Sequence, residues 1–213
     1  AEAILNEISG IGEPALRRVY GDWSSDGLSG WSKVIPELGL VARQETANTR
    51  QKNASDIGLV IDAMDILHGG KFGGFVIVSS DSDFTALANR LREGGLDVIG
   101  IGEKKTPQSL RNVCNRFILI ENLTGENESG KGPTRKKPAL HPALAFITEA
   151  MDKIESETGW YALSGIGSKI NAAHSDFDAR SYGHKKLSSL IAAIPGVETK
   201  TEGTLLFIRL KPS

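Results

Sequence analysis

Five short runs rich in β-branched and aromatic residues alternate with segments of helical periodicity, and this alternation most narrows what the chain can fold into. The runs are RRVYGDW (17–23), LGLVARQ (38–44), GFVIVSS (74–80), LDVIGIG (96–102) and RFILIEN (116–122). Between them Ile57, Val60, Ile61, Met64 and Leu67 recur at helical spacing, as do Phe84, Leu87, Ala88 and Leu91. Strands separated by helices predict an α/β fold with a mostly parallel sheet, because parallel strands need crossover connections that cover its faces. In such sheets ligands bind outside the carboxyl ends of the strands. An earlier apolar face, Ala3, Ile4, Leu5 and Ile8, predicts an opening helix with no preceding cap, which reads as a chain begun inside a longer protein.

The alternation stops at ENLTGENESGKGPTRKKPA, which is polar, rich in Gly and Pro and almost free of large apolar residues. The reading is a domain over 1–122, a linker over 123–139 and a smaller domain over 140–213. In the last region Leu144, Ile147, Met151 and Ile154 mark one helix. Ser164 can cap a second that runs through Ile170, and Leu187, Leu190, Ile191 and Ile194 mark a third. VETKTEGTLLFIRL then predicts a hairpin turning at Glu202-Gly203. Three helices followed by a hairpin describe a winged helix, a relative of the helix-turn-helix.

Charge excludes a global polyanion footprint. The 213 residues carry a net charge of -1, and Lys+Arg and Asp+Glu balance within each region, 13 against 15 over 1–120 and 8 against 8 over 140–213. A nucleic-acid partner would therefore need local basic patches. No apolar run is long enough to cross a bilayer and no signal peptide opens the chain, so no membrane is expected and the default address is cytoplasmic. The lone Cys114 fits a reducing compartment and excludes a multi-cysteine zinc site.

In FVIVSSDSDFTAL an apolar run leads straight into Asp81 and Asp83. Two apart in extended backbone, their carboxylates point to one side, and like charges that close call for a cation. Mg²⁺ is commonly held by one or two carboxylates, waters and substrate phosphates. Helix capping by Ser80, Asp81 or Ser82 is the structural alternative. In KNASDIGLVIDAMDIL the angular positions turn Asp62 away from the apolar face and put Asp65 on its flank, so both are expected in solvent. Asp56, in the first turn, reads equally as a cap favoured by the helix dipole and as a metal acid. GIG at 100–102 is too short for a dinucleotide fingerprint, and Thr106-Pro107 predicts a helix start with Pro first.

KNASDIGLVIDAMD, followed by VIVSSDSDFTALANRLREGGLDVIGIGEKKTPQSLRNVCNRFILIE, resembles the NYN branch of the PIN-like ribonucleases, specifically the LabA-like group. GWYALSGIGSKINAAHSDFDARSYGHKKLSSLIAAIPGVE resembles the LOTUS (OST-HTH) winged-helix module. The first resemblance implies a Rossmann-like nuclease in which acids bind Mg²⁺ or Mn²⁺ and cut RNA, leaving 5′-phosphate and 3′-hydroxyl ends. By motif, Asp56, Asp81 and Asp83 would be its catalytic and metal-binding acids. The family's domain begins with a strand ending in an aspartate, which would precede Ala1, so a fragment lacking one acid is expected.

Cations expected to hold RNA phosphates near such a site are Arg50 and Lys52, with Asn53, and Lys104 and Lys105. In the second domain Tyr182, His184, Lys185 and Lys186 open the third helix, where an aromatic ring can stack on a base and basic groups can hold phosphate. The second resemblance agrees on RNA and also admits a protein partner. Two other readings stand beside the nuclease: a non-catalytic RNA-binding adaptor, and a haloacid-dehalogenase-like phosphatase reading DSDFT as its D-x-D-x-T element.

Overall fold

A computed structural model describes residues 1–24, 26–45, 54–124 and 140–211. They form two compact units, one of residues 1–76 and 83–98, the other of 77–82 and 99–213. The fold is mixed α/β with parallel pairing, as the alternation predicts.

In the first unit, helix α1 (Glu2–Ile11) leads to strand β1 (Arg18–Gly21), helix α2 (Trp31–Glu37) and strand β2 (Val41–Gln44). β1 and β2 pair in parallel, Arg18 beside Val41 and Tyr20 beside Arg43. α2 has no counterpart in the periodicity and carries Pro36 inside it. Helix α3 (Ala54–Gly69) follows. Helix α4 (Thr85–Glu93) buries Leu87, Ala88 and Leu91 behind the buried Phe84, on the face its periodicity predicts.

The face of α3 departs from expectation. Ile57 and Ile61 are each 58% exposed, while Ala63 is buried and Asp62, expected in solvent, is turned toward β1. Apolar residues cover well over half the circumference of this helix, so periodicity fixes its inner face only loosely. Hydrogen-bonding partners on β1 choose it instead. Asp65 is exposed, as expected.

Strands β3 (Gly74–Val78), β4 (Asp97–Gly102) and β5 (Arg116–Leu119) form a second sheet in that order. β4 and β5 are parallel, Ile99 beside Arg116. The alternation predicts one sheet of five strands; the pairing here divides them between two. Val98, Ile101, Phe117 and Ile118 are at most 1% exposed, which makes this sheet the core of its region. A Cβ on Gly102 would stand 2.6 Å from the Ser79 carbonyl oxygen, so the second glycine of GIG serves close strand packing. Helix α5 (Gln108–Val113) starts after Pro107, whose ψ of 146 is not helical, so Pro107 precedes the first turn instead of occupying it. Cys114 is buried, its thiol pointing to the Leu110 carbonyl.

The C-terminal region contains helix α6 (His141–Asp152), a short strand β6 (Tyr161–Ala162), helix α7 (Leu163–Ala173) and helix α8 (Leu187–Ala193). The hairpin of β7 (Val197–Glu202) and β8 (Leu205–Leu210) completes it. Gly203 turns the hairpin with a φ of 60, a left-handed value that favours glycine. β8 lies between β6 and β7, both antiparallel to it. Ile147, Ile166, Ile170, Leu190, Ile191 and Ile208 are at most 1% exposed and weld the three helices to the sheet. Two predicted details shift. Ser164 lies inside the first turn of α7, whose cap is Ala162. Tyr182 ends a separate 3-10 turn, Ala179–Tyr182, and the left-handed Gly183 parts it from α8.

Candidate nucleic-acid site

β3 ends at Val78, where the Ser79 amide donates to the Ile101 carbonyl at 3.0 Å and extends the pairing by one residue. Past that point the Asp81 amide donates to Ser79 Oγ at 3.1 Å, and the Glu103 amide donates to Ser80 Oγ at 2.8 Å. Ser79 and Ser80 thus hold backbone, tying the turn that carries Asp81 to the loop after β4. Asp81 is exposed. In the other unit Asp83 is exposed within the 3-10 turn Ser82–Phe84, and Asp56 is half-buried in the first turn of α3. The extended-backbone argument for Asp81 and Asp83 therefore does not hold: the strand has ended and the chain is already turning.

The loop after β4 is held at several points. The Lys104 amide donates to Glu121 Oε1 at 2.8 Å, and Thr106 Oγ1 donates to the Glu103 carbonyl at 2.6 Å. Arg111 Nε donates to the Thr106 carbonyl at 2.8 Å, and its Nη2 to the Lys104 carbonyl. The same guanidinium reaches Asp176 of the C-terminal region at 3.2 Å. Ser175 is fastened there as well, its hydroxyl donating to the Arg111 carbonyl and its carbonyl accepting from the Phe117 amide, both at 2.7 Å. Asn122 Nδ2 donates to Ser181 Oγ at 3.0 Å. One unit thus contains both the strand ends and the winged helix.

Lys104 and Lys105 are exposed on this loop; Lys105 meets Glu103 at 2.7 Å, and that hydrogen bond, then its charge, raises the Lys105 pKa. Arg50, Lys52 and Asn53 lie outside the described residues. Lys185 and Lys186 are exposed and His184 is half-buried. Tyr182 is half-buried, its ring 6.0 Å from that of Phe177, and burial, then the charge of Asp176, raises its pKa. His174, given no role by its sequence context, meets Glu149 at 2.9 Å.

Local pattern does not single out Glu121 as a site residue, yet its position does. It follows β5 as Asp81 follows β3, and its Oε2 is buried without a hydrogen-bond partner among the described residues. The signal is present in RFILIEN, an apolar run ending on an acid.

The NYN domain family model matches residues 1–121. The chain belongs to the NYN family. The model of the OST-HTH/LOTUS domain matches residues 137–204 of this NYN protein, and none of the curated proteins matches it. A PIN-like nuclease domain followed by a LOTUS domain supports a ribonuclease or RNA-binding role. NYN and other PIN-like nucleases generally use divalent metals. Among the described residues, however, no three His, Cys, Asp or Glu side chains are arranged to hold an ion. Among the described residues no helix is long and apolar enough to cross a membrane.

Proposed function

We propose that this NYN protein hydrolyses RNA phosphodiester bonds in a reaction that depends on Mg²⁺ or Mn²⁺, with Asp56, Asp81 and Asp83 as the acids concerned. Its domains would be a nuclease domain over 1–122 and an RNA-binding LOTUS domain over 140–213. The reading rests chiefly on the NYN match across 1–121, and the position of Asp81 just past the carboxyl end of a strand in an α/β sheet supports it. Arg50, Lys52, Asn53, Lys104 and Lys105 would bind the RNA backbone, and His184, Lys185 and Lys186, beside Tyr182, would bind it on the winged helix. Lys185 and Lys186 suit this best, since their exposure leaves them free to meet phosphate.

A second reading is an RNA-binding adaptor that does not cut, which the LOTUS match over 137–204 also suits. One experiment separates the two. Labelled single-stranded RNA is incubated with the protein in Mg²⁺, in Mn²⁺ and in chelator. Metal-dependent cleavage that disappears in Asp81→Asn supports the nuclease; retention of intact RNA under every condition leaves the adaptor.

A further inference from the structure

A cavity of about 380 Å³ opens in the first unit beside the amino ends of β1 and β2, bordered by Arg17, Arg18 and Arg43 and by the apolar Pro14, Leu16 and Val41. Its size falls within the usual range for a small-molecule site. The three guanidiniums are unequally committed. Asp62 gives one oxygen to Arg18 Nη1 and the other to the Tyr20 hydroxyl, each at 2.5 Å. Arg43 reaches Asp62 only at 3.9 Å, and among the described residues its side chain donates no hydrogen bond. Among the described residues Arg17 has one 3.4 Å bond to the Pro14 carbonyl and a 3.9 Å approach to Glu13, whose side chain is 90% exposed and so screens little of its charge.

The arrangement has a reason in the strand register. Tyr20 stands beside Arg43 and Arg18 beside Val41, and residues two apart share a face, so all four lie on the side of the ladder that meets Asp62. Asp62 neutralises one arginine and leaves two facing the cavity. A guanidinium fork suits phosphate oxygens, which it can hold through two parallel hydrogen bonds. Leu16 and Val41, 43% and 52% exposed, offer an apolar wall on the same cavity.

We propose that this cavity binds a nucleotide monophosphate, its phosphate held by Arg17 and Arg43 and its base or ribose lying on Leu16 and Val41. The group is either the 5′-phosphorylated end of an RNA or a free nucleotide. The proposal extends the RNA-directed reading to a site built only from the first unit, and it requires no cleavage.

The test titrates the full chain with AMP, with adenosine and with short RNAs bearing a 5′-phosphate or a 5′-hydroxyl. AMP binds and adenosine does not, and Arg43→Ala weakens AMP about tenfold, the scale of one hydrogen bond to a charged group. Arg43→Lys, which keeps charge without the fork, recovers only part of the loss. If the 5′-phosphate also strengthens RNA binding in an Arg43-dependent way, the occupant is an RNA end; AMP binding without that preference marks a free nucleotide. Equal binding of AMP and adenosine, or AMP affinity unchanged in both Arg43→Ala and Arg17→Ala with wild-type melting, overturns the proposal. AMP titration reads neither RNA cleavage nor the LOTUS domain, so its failure is distinct from failure of the nuclease reading.

Discussion

Arg111 and Asp176 meet at 3.2 Å, and the guanidinium that bridges to Asp176 also holds the carbonyls of Lys104 and Thr106. Only 13% of the Arg111 side chain is exposed, so its loss would strand both carbonyls and the carboxylate with little water to replace it. Arg111→Ala should destabilise the protein by about 2–4 kcal/mol, the scale for breaking one side of a largely buried, hydrogen-bonded charge network. Arg111→Lys should not restore it, since one ammonium cannot serve three acceptors in a planar fork. Urea denaturation measures the loss. Faster amide exchange at Lys104 and Thr106 would locate it, and unchanged exchange there would contradict the account.

Asp62 predicts a defined acid limb. Burial pushes its pKa up, but the hydrogen bonds from Tyr20 and Arg18 and the charge of Arg18 outweigh that and hold it below the ordinary carboxylate value. A carboxyl with a depressed folded-state pKa contributes stability that is full above its unfolded pKa and is lost as pH falls through the folded one. Tyr20 is the opposite case. Burial first, then its bond to Asp62, raises the phenol far above its ordinary value, so its contribution is full below about pH 10 and fades as pH rises toward the folded pKa. Stability should therefore be flat through neutrality and decline at both extremes. Asp62→Asn should cost about 1–3 kcal/mol at pH 7 and flatten the acid limb, read from urea midpoints across about pH 3–7.

Gly102→Ala should destabilise by about 1–3 kcal/mol through overpacking. Its new methyl would stand 2.6 Å from the Ser79 carbonyl oxygen, 2.8 Å from Thr106 Oγ1 and 2.9 Å from the Phe117 ring, none of them at the free end of a flexible chain. Thermal unfolding of the variant checks this, and a melting temperature equal to wild type would count against the close strand packing.

On the winged helix, stability and RNA binding should separate by residue. Tyr182→Ala, which removes a half-buried ring beside Phe177, should lower the melting temperature. Lys185→Ala with Lys186→Ala should leave melting unchanged and reduce the slope of log affinity against log salt by roughly 1–2, about one unit for each phosphate no longer neutralised. Fluorescence polarisation with single-stranded RNA at several salt concentrations reads the slope, and thermal unfolding reads the stability.

Much of the architecture is legible in the chain. Strand runs, the faces of α4 and α8, the hairpin at Gly203 and the helix-then-wing order follow from local periodicity and turn chemistry. Legibility fails where the pattern is ambiguous. α3 is apolar over most of its circumference, and its periodicity assigns Asp62 to the remaining polar arc; Tyr20, more than forty residues away, supplies the partner that turns it inward. Glu121 escapes notice because one acid after a strand looks ordinary until its second oxygen is found buried without a partner among the described residues.

By itself the sequence determined the element types, the NYN and LOTUS resemblances and the candidacy of Asp56, Asp81 and Asp83, because those depend on residues near one another along the chain. Tertiary structure alone decided that the strands divide between two sheets, that Asp62 bonds Arg18 closely and meets Arg43 only at 3.9 Å, and that Arg111 links the β4 loop to Asp176. Each of these is a pairing between groups distant in sequence, and its energy exists only once folding has brought donor and acceptor within reach.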